Sequence, residues 1–116
     1  MVDLHDTVLP SSYDSNDTLA TIYNFALPAL MKLTERPEYK LILWTSSHDD
    51  YIYKLMPEFN KYGVIFDYVN ENPECVTGDL VNLDSKFYFN VILDDKAGFD
   101  GTKDWFTLNN YLTEQK

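Results

Sequence analysis

Three short apolar runs in this chain each end in side chains that suit phosphoryl transfer. The first run ends at Asp3 and the second at Thr45. The third ends at two adjacent carboxylates, Asp94 and Asp95. A carboxylate can attack phosphorus and form an acyl phosphate, or it can bind a hard divalent cation such as Mg²⁺. A hydroxyl can donate to a phosphoryl oxygen. The residue types therefore predict a phosphoryl-transfer site that uses Mg²⁺.

Each run is typical of a buried parallel strand, because it is short, mostly apolar and followed by polar residues. Open α/β sheets bind ligands at the carboxyl ends of their strands. The strand ends are therefore expected to gather these side chains, which lie far apart in the sequence, into one pocket. Lys86 precedes Asp94 by eight residues and would supply a positive charge there.

Four strands are expected along the chain. They are a very short strand that ends at Asp3 and longer strands over 40–44, 64–69 and 87–93. Strands that alternate with helices predict a parallel sheet with right-handed crossovers. We therefore expect a single α/β domain over residues 1–116, with a parallel sheet flanked by helices in three layers. A chain of 116 residues is too short to add a substantial cap.

Helical patterns lie between the expected strands. Residues 19–25 have helical spacing, and Pro28 suits the first turn of a second helix. A third helix is expected to start within residues 47–50, where Ser47 and His48 precede two aspartates, and to bury a stripe formed by Ile52, Leu55, Met56, Phe59 and Tyr62. A closing helix is expected to bury Trp105, Leu108 and Leu112.

Charge and composition narrow the class of partner. The chain has 9 basic and 19 acidic residues and a net charge of −10, which disfavours a nucleic-acid polymer. A small phosphorylated substrate remains compatible, because a metal ion and a lysine can invert the field locally. No apolar run approaches the roughly 18 residues of a membrane span. The single cysteine, Cys75, cannot form an internal disulfide, which suits a cytoplasmic protein.

These residues together resemble the haloacid dehalogenase superfamily of magnesium-dependent phosphatases, in particular its small members with little or no cap. The family's first motif, Asp-x-Asp-x-Thr, is similar to residues 3–7, in which His5 stands at the third position. Its second motif, an apolar strand that ends in Thr or Ser, resembles 41–45. Its fourth motif, a strand that ends in an acidic pair, resembles 90–95. The resemblance implies a Rossmann-like fold and phosphatase activity.

The same resemblance implies a role for each functional residue. Asp3 would be the nucleophile, Thr45 would hold the phosphoryl oxygens and Lys86 would stabilise their charge. The residue that protonates the leaving group is an aspartate in the phosphatases and is His5 here. The magnesium ligands would be Asp3, the backbone carbonyl of His5, Asp94 and Asp95.

Two departures from the family pattern leave an alternative open. His5 can act as a general acid, which predicts a slow or acid-shifted phosphatase. Only two residues precede Asp3, so either upstream residues are absent from this chain or the strand is truncated and the site is loosely held. The first expectation is a phosphohydrolase for a small metabolite, with a nucleotide as one candidate. The alternative is a catalytically degenerate binding or regulatory protein.

Two further points follow from the order and the number of elements. A phosphoacceptor signalling domain fits less well, because its acidic pair follows the first strand and the pair here follows the last. Without a cap, either small substrates would be weakly selected, or a homodimer contact or a partner protein would close the site.

Overall fold

The computed structural model of the protein describes residues 1–10, 19–74 and 89–115. Within these residues, three strands pair into one sheet: β1 (Val2–Asp3), β2 (Ile42–Trp44) and β3 (Tyr68–Val69). The same residues contain three α-helices: α1 (Ala26–Glu35), α2 (Asp49–Lys61) and α3 (Asp104–Glu114). Short 3₁₀ turns cover Leu19–Thr21 and Asp95–Ala97. The fold is an α/β domain, as the alternation of patterns predicts.

Every strand pairing in the described residues is parallel, and the strand order is β1-β2-β3. Val2 pairs with Leu43, and Asp3 pairs with Trp44. On the other side of β1, Leu93 forms a parallel bridge with Val2, and its carbonyl accepts a 2.9 Å hydrogen bond from the Asp3 amide. β1 therefore has partners along both edges although it is two residues long. This pairing places the residues that follow Leu93 beside Asp3.

The second and third expected strands are present in shortened form. The second is confirmed at Ile42–Trp44, whereas the third, expected over 64–69, pairs only at Tyr68–Val69. Just before that pair, the Asp67 carboxylate accepts a 2.8 Å hydrogen bond from the Leu41 amide. The Asp67 amide also donates to the Leu41 carbonyl at 2.8 Å, so Asp67 contacts Leu41 through both its side chain and its backbone just before the assigned strand begins.

The fourth expected strand covers 87–93, of which the structure describes residues from 89 onward. Within that part, Leu93 alone forms a bridge. The α-amino group of Met1 also donates to the Val91 carbonyl at 2.8 Å. The segment therefore lies along β1 as predicted, but it is not a regular strand over its described length.

The start of α1 differs from the sequence-based expectation. Residues 19–25 form only the 3₁₀ turn at Leu19–Thr21, so the helical prediction was wrong for most of this segment. The backbone at Phe25 is left-handed, with φ of 69°, immediately before α1 begins. Pro28 lies in the first turn of α1 as predicted, where an amide hydrogen has no helical acceptor.

Helices α1 and α3 pack against each other. Lys32 on α1 donates to the Asn109 side chain on α3 at 2.6 Å. Arg36 follows α1 and donates to the carbonyl oxygens of Leu112 at 2.7 Å and Gln115 at 2.8 Å. A cation at the carboxyl end of a helix pairs with the negative end of the dipole and with carbonyls that lack helical partners. This capping ties the two helices together.

The apolar stripe on α2 is confirmed for most of its length. Ile52, Leu55 and Phe59 are buried, and Met56 packs against the core. Tyr62 was predicted to be buried but is 44% exposed. It lies beyond the last helical residue, where the chain turns away through Gly63 with φ of 82°.

The core extends directly beneath the residues that were expected to be functional. Leu4, Val8 and Leu9 are fully buried, as is Thr7, which is the one buried polar residue among those described. Trp105 on α3 is also fully buried, and its Nε1–H donates to the Thr7 carbonyl at 2.6 Å. The segment after β1 is therefore anchored in the core.

In the part of the chain that the structure describes, no helix combines the length and the apolar character that crossing a membrane requires.

We expect Trp105→Phe to lower the free energy of unfolding by about 1–3 kcal/mol, since it removes the donor from a buried carbonyl while keeping most ring contacts. Urea denaturation followed by far-UV circular dichroism measures the loss. Tyr53→Phe is the matched control, because it removes a polar atom from a side chain that is 79% exposed. A loss of similar size in both variants would contradict an anchoring role for the indole N–H.

Candidate active site

Three carboxylates meet at the carboxyl end of β1. Asp3 ends that strand, and Asp94 and Asp95 directly follow Leu93, which pairs with it. Each of the three offers one carboxylate oxygen to a group whose members lie within 4.8 Å of one another. All three side chains are partly buried. The structure thus brings together the two acidic elements that the strand-end rule placed in one pocket.

The buried Thr7 hydroxyl lies between these carboxylates. Its Oγ1 is 3.1 Å from Asp3 Oδ2 and 3.4 Å from Asp95 Oδ1, and it accepts a 2.9 Å hydrogen bond from the Asp95 amide. A hydroxyl has one hydrogen to donate, so the two carboxylates share it. Thr7 therefore fixes both acidic segments relative to each other.

A tight turn places the Thr7 hydroxyl in this position. The Leu4 carbonyl accepts from the amide of Val8 at 2.8 Å and from that of Leu9 at 3.1 Å. Asp6 takes a left-handed conformation with φ of 63°, which aspartate tolerates better than most residues. The turn returns the chain toward the sheet, so the residue four positions after Asp3 lies beside it.

Asp94 is held by a second local structure. Its Oδ1 accepts a 2.9 Å hydrogen bond from the Lys96 amide at the start of the 3₁₀ turn. Its backbone carbonyl accepts from the amides of Ala97 at 2.9 Å and Phe99 at 3.1 Å. The carboxylate is therefore oriented by the backbone that follows it.

The environment raises the pKa of Asp3 from its ordinary value of 3.8 to about 6. Burial is the largest cause, the negative charge of Asp94 is next, and the hydrogen bond from Thr7 partly opposes them. Within 1–10, 19–74 and 89–115 the one ion pair joins Arg36 to Glu38 at 3.9 Å, so no basic side chain of these residues pairs with the cluster. A cation at the cluster would relieve this repulsion.

Thr45, the fourth residue expected at this edge, belongs to a second polar group. It follows Trp44, the register partner of Asp3. Its Oγ1 lies 3.0 Å from Ser47 Oγ and accepts the Ser47 amide at 3.1 Å. Ser47 Oγ in turn lies 3.3 Å from Nδ1 of His5. The structure therefore links the two predicted residues Thr45 and His5 through the hydroxyl of Ser47. From the sequence, Ser47 was expected only to lie at the start of a helix.

The ring of His5 also stacks on Tyr51 of α2, with centroids 5.5 Å apart and planes inclined by 23°. The three adjacent hydroxyl-bearing residues 45–47 are the sequence feature from which a role for Ser47 in this group could have been predicted. Nothing in the sequence singles out Tyr51 among nine tyrosines. His48 is exposed and occupies the N-cap position of α2, as its sequence position suggests. Lys86 and Cys75 lie outside the described residues.

Two clefts differ in chemistry and in position. A cleft of about 290 Å³ adjoins the cluster at Asp95 and is also lined by Asp6, Tyr23 and Asp100. Burial first, and then the charges of Asp6 and Asp100, raise the pKa of the Tyr23 phenol. A larger cleft of about 940 Å³ includes Met1 at the other end of the sheet and is mostly apolar. The smaller cleft is the one beside the carboxylate cluster.

Comparison of the chain with models of known families, with curated proteins and with solved structures finds no match.

The raised pKa of Asp3 makes its contribution to stability depend on pH. Asp3 keeps its proton up to about pH 6 in the folded protein but only up to about pH 4 in the unfolded chain. Its favourable contribution to the free energy of unfolding is therefore present below pH 4 and is lost as the pH rises to 6. Without added metal, Asp3→Asn should therefore stabilise the protein at neutral pH by on the order of 1 kcal/mol, but not below pH 4.

Thermal unfolding of the parent and Asp3→Asn proteins across this pH range, in the presence of a chelator, measures the difference. Glu114→Gln is the control, because it neutralises an exposed carboxylate far from the cluster in sequence. A difference between parent and Asp3→Asn that does not change with pH would contradict the raised pKa.

Proposed function

We propose that the protein is a magnesium-dependent phosphohydrolase of the haloacid dehalogenase type. It hydrolyses a small phosphorylated metabolite, with nucleotides as one candidate class, through an aspartyl-phosphate at Asp3. The observation that carries the proposal is the meeting of Asp3, Asp94 and Asp95 within 4.8 Å at the carboxyl end of β1. Ligands of open α/β sheets bind at this edge.

The finer fold that belongs to this proposal is a Rossmann-like, three-layer domain without a substantial cap. Two observations support it. β1 lies between β2 and Leu93, and all of the described strand pairings are parallel. The acidic pair follows the strand-like segment on one side of β1, and Thr45 follows β2 on the other side. The proposed nucleophile, Asp3, therefore lies between them.

The donor set fits Mg²⁺. Carboxylate oxygens are hard ligands, and two ligands on opposite sides of one Mg²⁺ ion lie about 4 Å apart. The three oxygens here lie within 4.8 Å of one another, so a bound ion would draw them slightly closer together. Asp3, Asp94 and Asp95 would hold it, and the His5 carbonyl is proposed as a further ligand. Its positive charge would oppose the repulsion that raises the pKa of Asp3.

The proposed reaction has two steps, for which bound Mg²⁺ supplies charge neutralisation between carboxylate and phosphoryl oxygens. Asp3 attacks phosphorus, and a new oxygen–phosphorus bond forms as the bond to the ester oxygen breaks. His5, as imidazolium, gives a proton to the departing oxygen, while Thr45 donates its hydroxyl to a phosphoryl oxygen. Water then attacks the aspartyl-phosphate, His5 takes up its proton, and phosphate leaves. Lys86 is proposed to stabilise the phosphoryl charge.

A second candidate is a binding or regulatory protein that keeps the acidic cluster without turnover. The contacts of His5 favour it, because a ring stacked on Tyr51 and bonded to Ser47 is also what a purely structural histidine shows. In both candidates a second copy or a partner protein would close the capless site, and a cytoplasmic location stays a prediction.

We expect Mg²⁺-dependent phosphate release from a panel of aryl phosphates and nucleotides, reduced to background by Asp3→Asn because the amide is not nucleophilic. Colorimetric detection of phosphate, with and without a chelator, measures it. The control Glu71→Gln changes an exposed residue and should keep full activity. Release that survives Asp3→Asn would refute Asp3 as the nucleophile.

Binding of Mg²⁺ is measured separately from turnover. Excess Mg²⁺ should raise the melting temperature of the parent, since a ligand that binds only the folded state stabilises it by mass action. Asp94→Asn should abolish most of this increase. An increase without any phosphate release would favour the second candidate, whereas no increase in the parent would remove the support for a magnesium site.

His5→Asn should lower kcat for alkyl phosphates by about 10²–10⁴-fold, the usual contribution of a general acid. It should affect p-nitrophenyl phosphate much less, since that leaving group departs without protonation. Steady-state kinetics on the two substrates gives the ratio. An equal loss on both would contradict a role for His5 in protonating the leaving group.

A further inference from the structure

Three polar groups that follow β1 and β2 form a continuous chain of hydrogen bonds. Thr45 Oγ1 lies 3.0 Å from Ser47 Oγ, which lies 3.3 Å from His5 Nδ1. The Ser47 amide donates to Thr45 Oγ1 at 3.1 Å and so fixes the spacing of the two hydroxyls. Each hydroxyl carries one hydrogen. The direction of one bond in this chain therefore decides the direction of the next.

The chain has two self-consistent directions. In the first, Thr45 donates to Ser47, Ser47 donates to Nδ1, and a neutral His5 carries its hydrogen on Nε2. In the second, the Thr45 hydrogen is used elsewhere. Ser47 then donates to Thr45, and the hydrogen on Nδ1 of His5 is donated to Ser47. Nε2 of the neutral ring then has a lone pair, whereas in the imidazolium each of the two ring nitrogens carries one hydrogen.

We propose that Ser47 is a positioning residue that couples the binding of a phosphoryl oxygen at Thr45 to the tautomer of His5. The inference rests on the proposed function in one respect, namely that Thr45 donates to a phosphoryl oxygen. A bound phosphoryl group takes the Thr45 hydrogen, and the chain reverses. His5 loses a hydrogen from Nε2 to water and gains one from water at Nδ1, so its composition and charge are unchanged.

The second direction is the one that both chemical steps require. The imidazolium that protonates a leaving group has a hydrogen on Nδ1, and so does the neutral ring that accepts a proton from water at Nε2. In the first direction Nδ1 is an acceptor, and Nε2 has no lone pair for a proton. Ser47 therefore makes His5 competent at Nε2 when a phosphoryl group is in place.

The stacking of His5 on Tyr51 supports this coupling. Ring centroids 5.5 Å apart, with planes inclined by 23°, oppose rotation of the imidazole away from Ser47. Exchange of the hydrogen between the two nitrogens then occurs in a ring of fixed orientation. Ser47 is also free of a capping duty, since the N-cap of α2 is His48 and has no side-chain capping bond.

The experiment measures the imidazole nitrogens of His5 by ¹⁵N NMR in alkaline solution, where imidazoles are neutral. His48→Asn serves as the parent, because it leaves His5 as the only histidine and places a favourable residue at the N-cap. The probe is inorganic phosphate with Mg²⁺. We expect hydrogen on Nε2 in the free protein and on Nδ1 with phosphate, a change in the tautomer ratio of at least about fivefold.

Two substitutions at Ser47 provide matched variants. Ser47→Ala should still bind phosphate, as judged by the shift of the Thr45 amide, but should keep hydrogen on Nε2. Ser47→Thr retains a hydroxyl and should restore the response. A purely structural role for Ser47 would not produce this pattern.

The outcomes separate the inference from the proposed function. A shift of the Thr45 amide without a change of tautomer in the parent would overturn the coupling and leave phosphoryl binding intact. A change of tautomer of equal size in Ser47→Ala would overturn the role of Ser47. The absence of any Thr45 shift with phosphate would overturn both phosphoryl binding at Thr45 and the coupling that depends on it.

Discussion

The candidate site depends on the contacts of two polar groups of Thr7, its side-chain hydroxyl and its backbone carbonyl. The hydroxyl bonds to the carboxylate of Asp3 and to the backbone and side chain of Asp95, and the carbonyl accepts the indole hydrogen of Trp105. Thr7 is fully buried, where an unsatisfied polar group would cost several kcal/mol, on the order of 2–7 depending on the reference state. The loop after Leu93 and helix α3 must therefore both take up fixed positions around it. The core therefore positions the site. Gly101 is part of the same packing, because a Cβ added there would lie 2.9 Å from the Thr7 carbonyl oxygen.

Three carboxylates at one half-buried edge have an electrostatic cost that the fold does not relieve with a basic side chain among the described residues. Apolar or amide side chains would fill the same space without repulsion. Strongly perturbed carboxylates cluster at functional sites because function, and not stability, retains them. The raised pKa of Asp3 is therefore consistent with a site shaped for a positively charged ligand.

The parts of the site that the sequence predicts are those that follow from a general rule of α/β sheets. Asp3, Thr45, Asp94 and Asp95 all follow apolar runs, and parallel pairing brings the ends of such runs to one edge. The buried face of α2 was predicted from an apolar periodicity of 3.6 residues. That prediction fails at Tyr62 because the helix has ended there. These predictions depend on local pattern and on one topological rule.

Other features depend on contacts between distant residues, which local pattern does not reveal. Ser47 and His5 are 42 positions apart in the sequence, and their contact follows from the register of β1 on β2. The helical spacing of 19–25 was overridden by the left-handed turn at Phe25. The hydrogen bond from the Leu41 amide to the Asp67 side chain, 26 positions later, is of the same kind.

The pairing of β1 with the segment before Asp94 also has a consequence for the order in which the protein is made. The α-amino group of Met1 bonds to a carbonyl 90 positions later, so this edge of β1 gains its partner only after that segment has been translated. Domains begin to fold while they are still being translated. In this chain the three carboxylates therefore cannot repel one another until translation has passed Asp95, so the electrostatic cost of the cluster arises only after β1 and β2 have both been made.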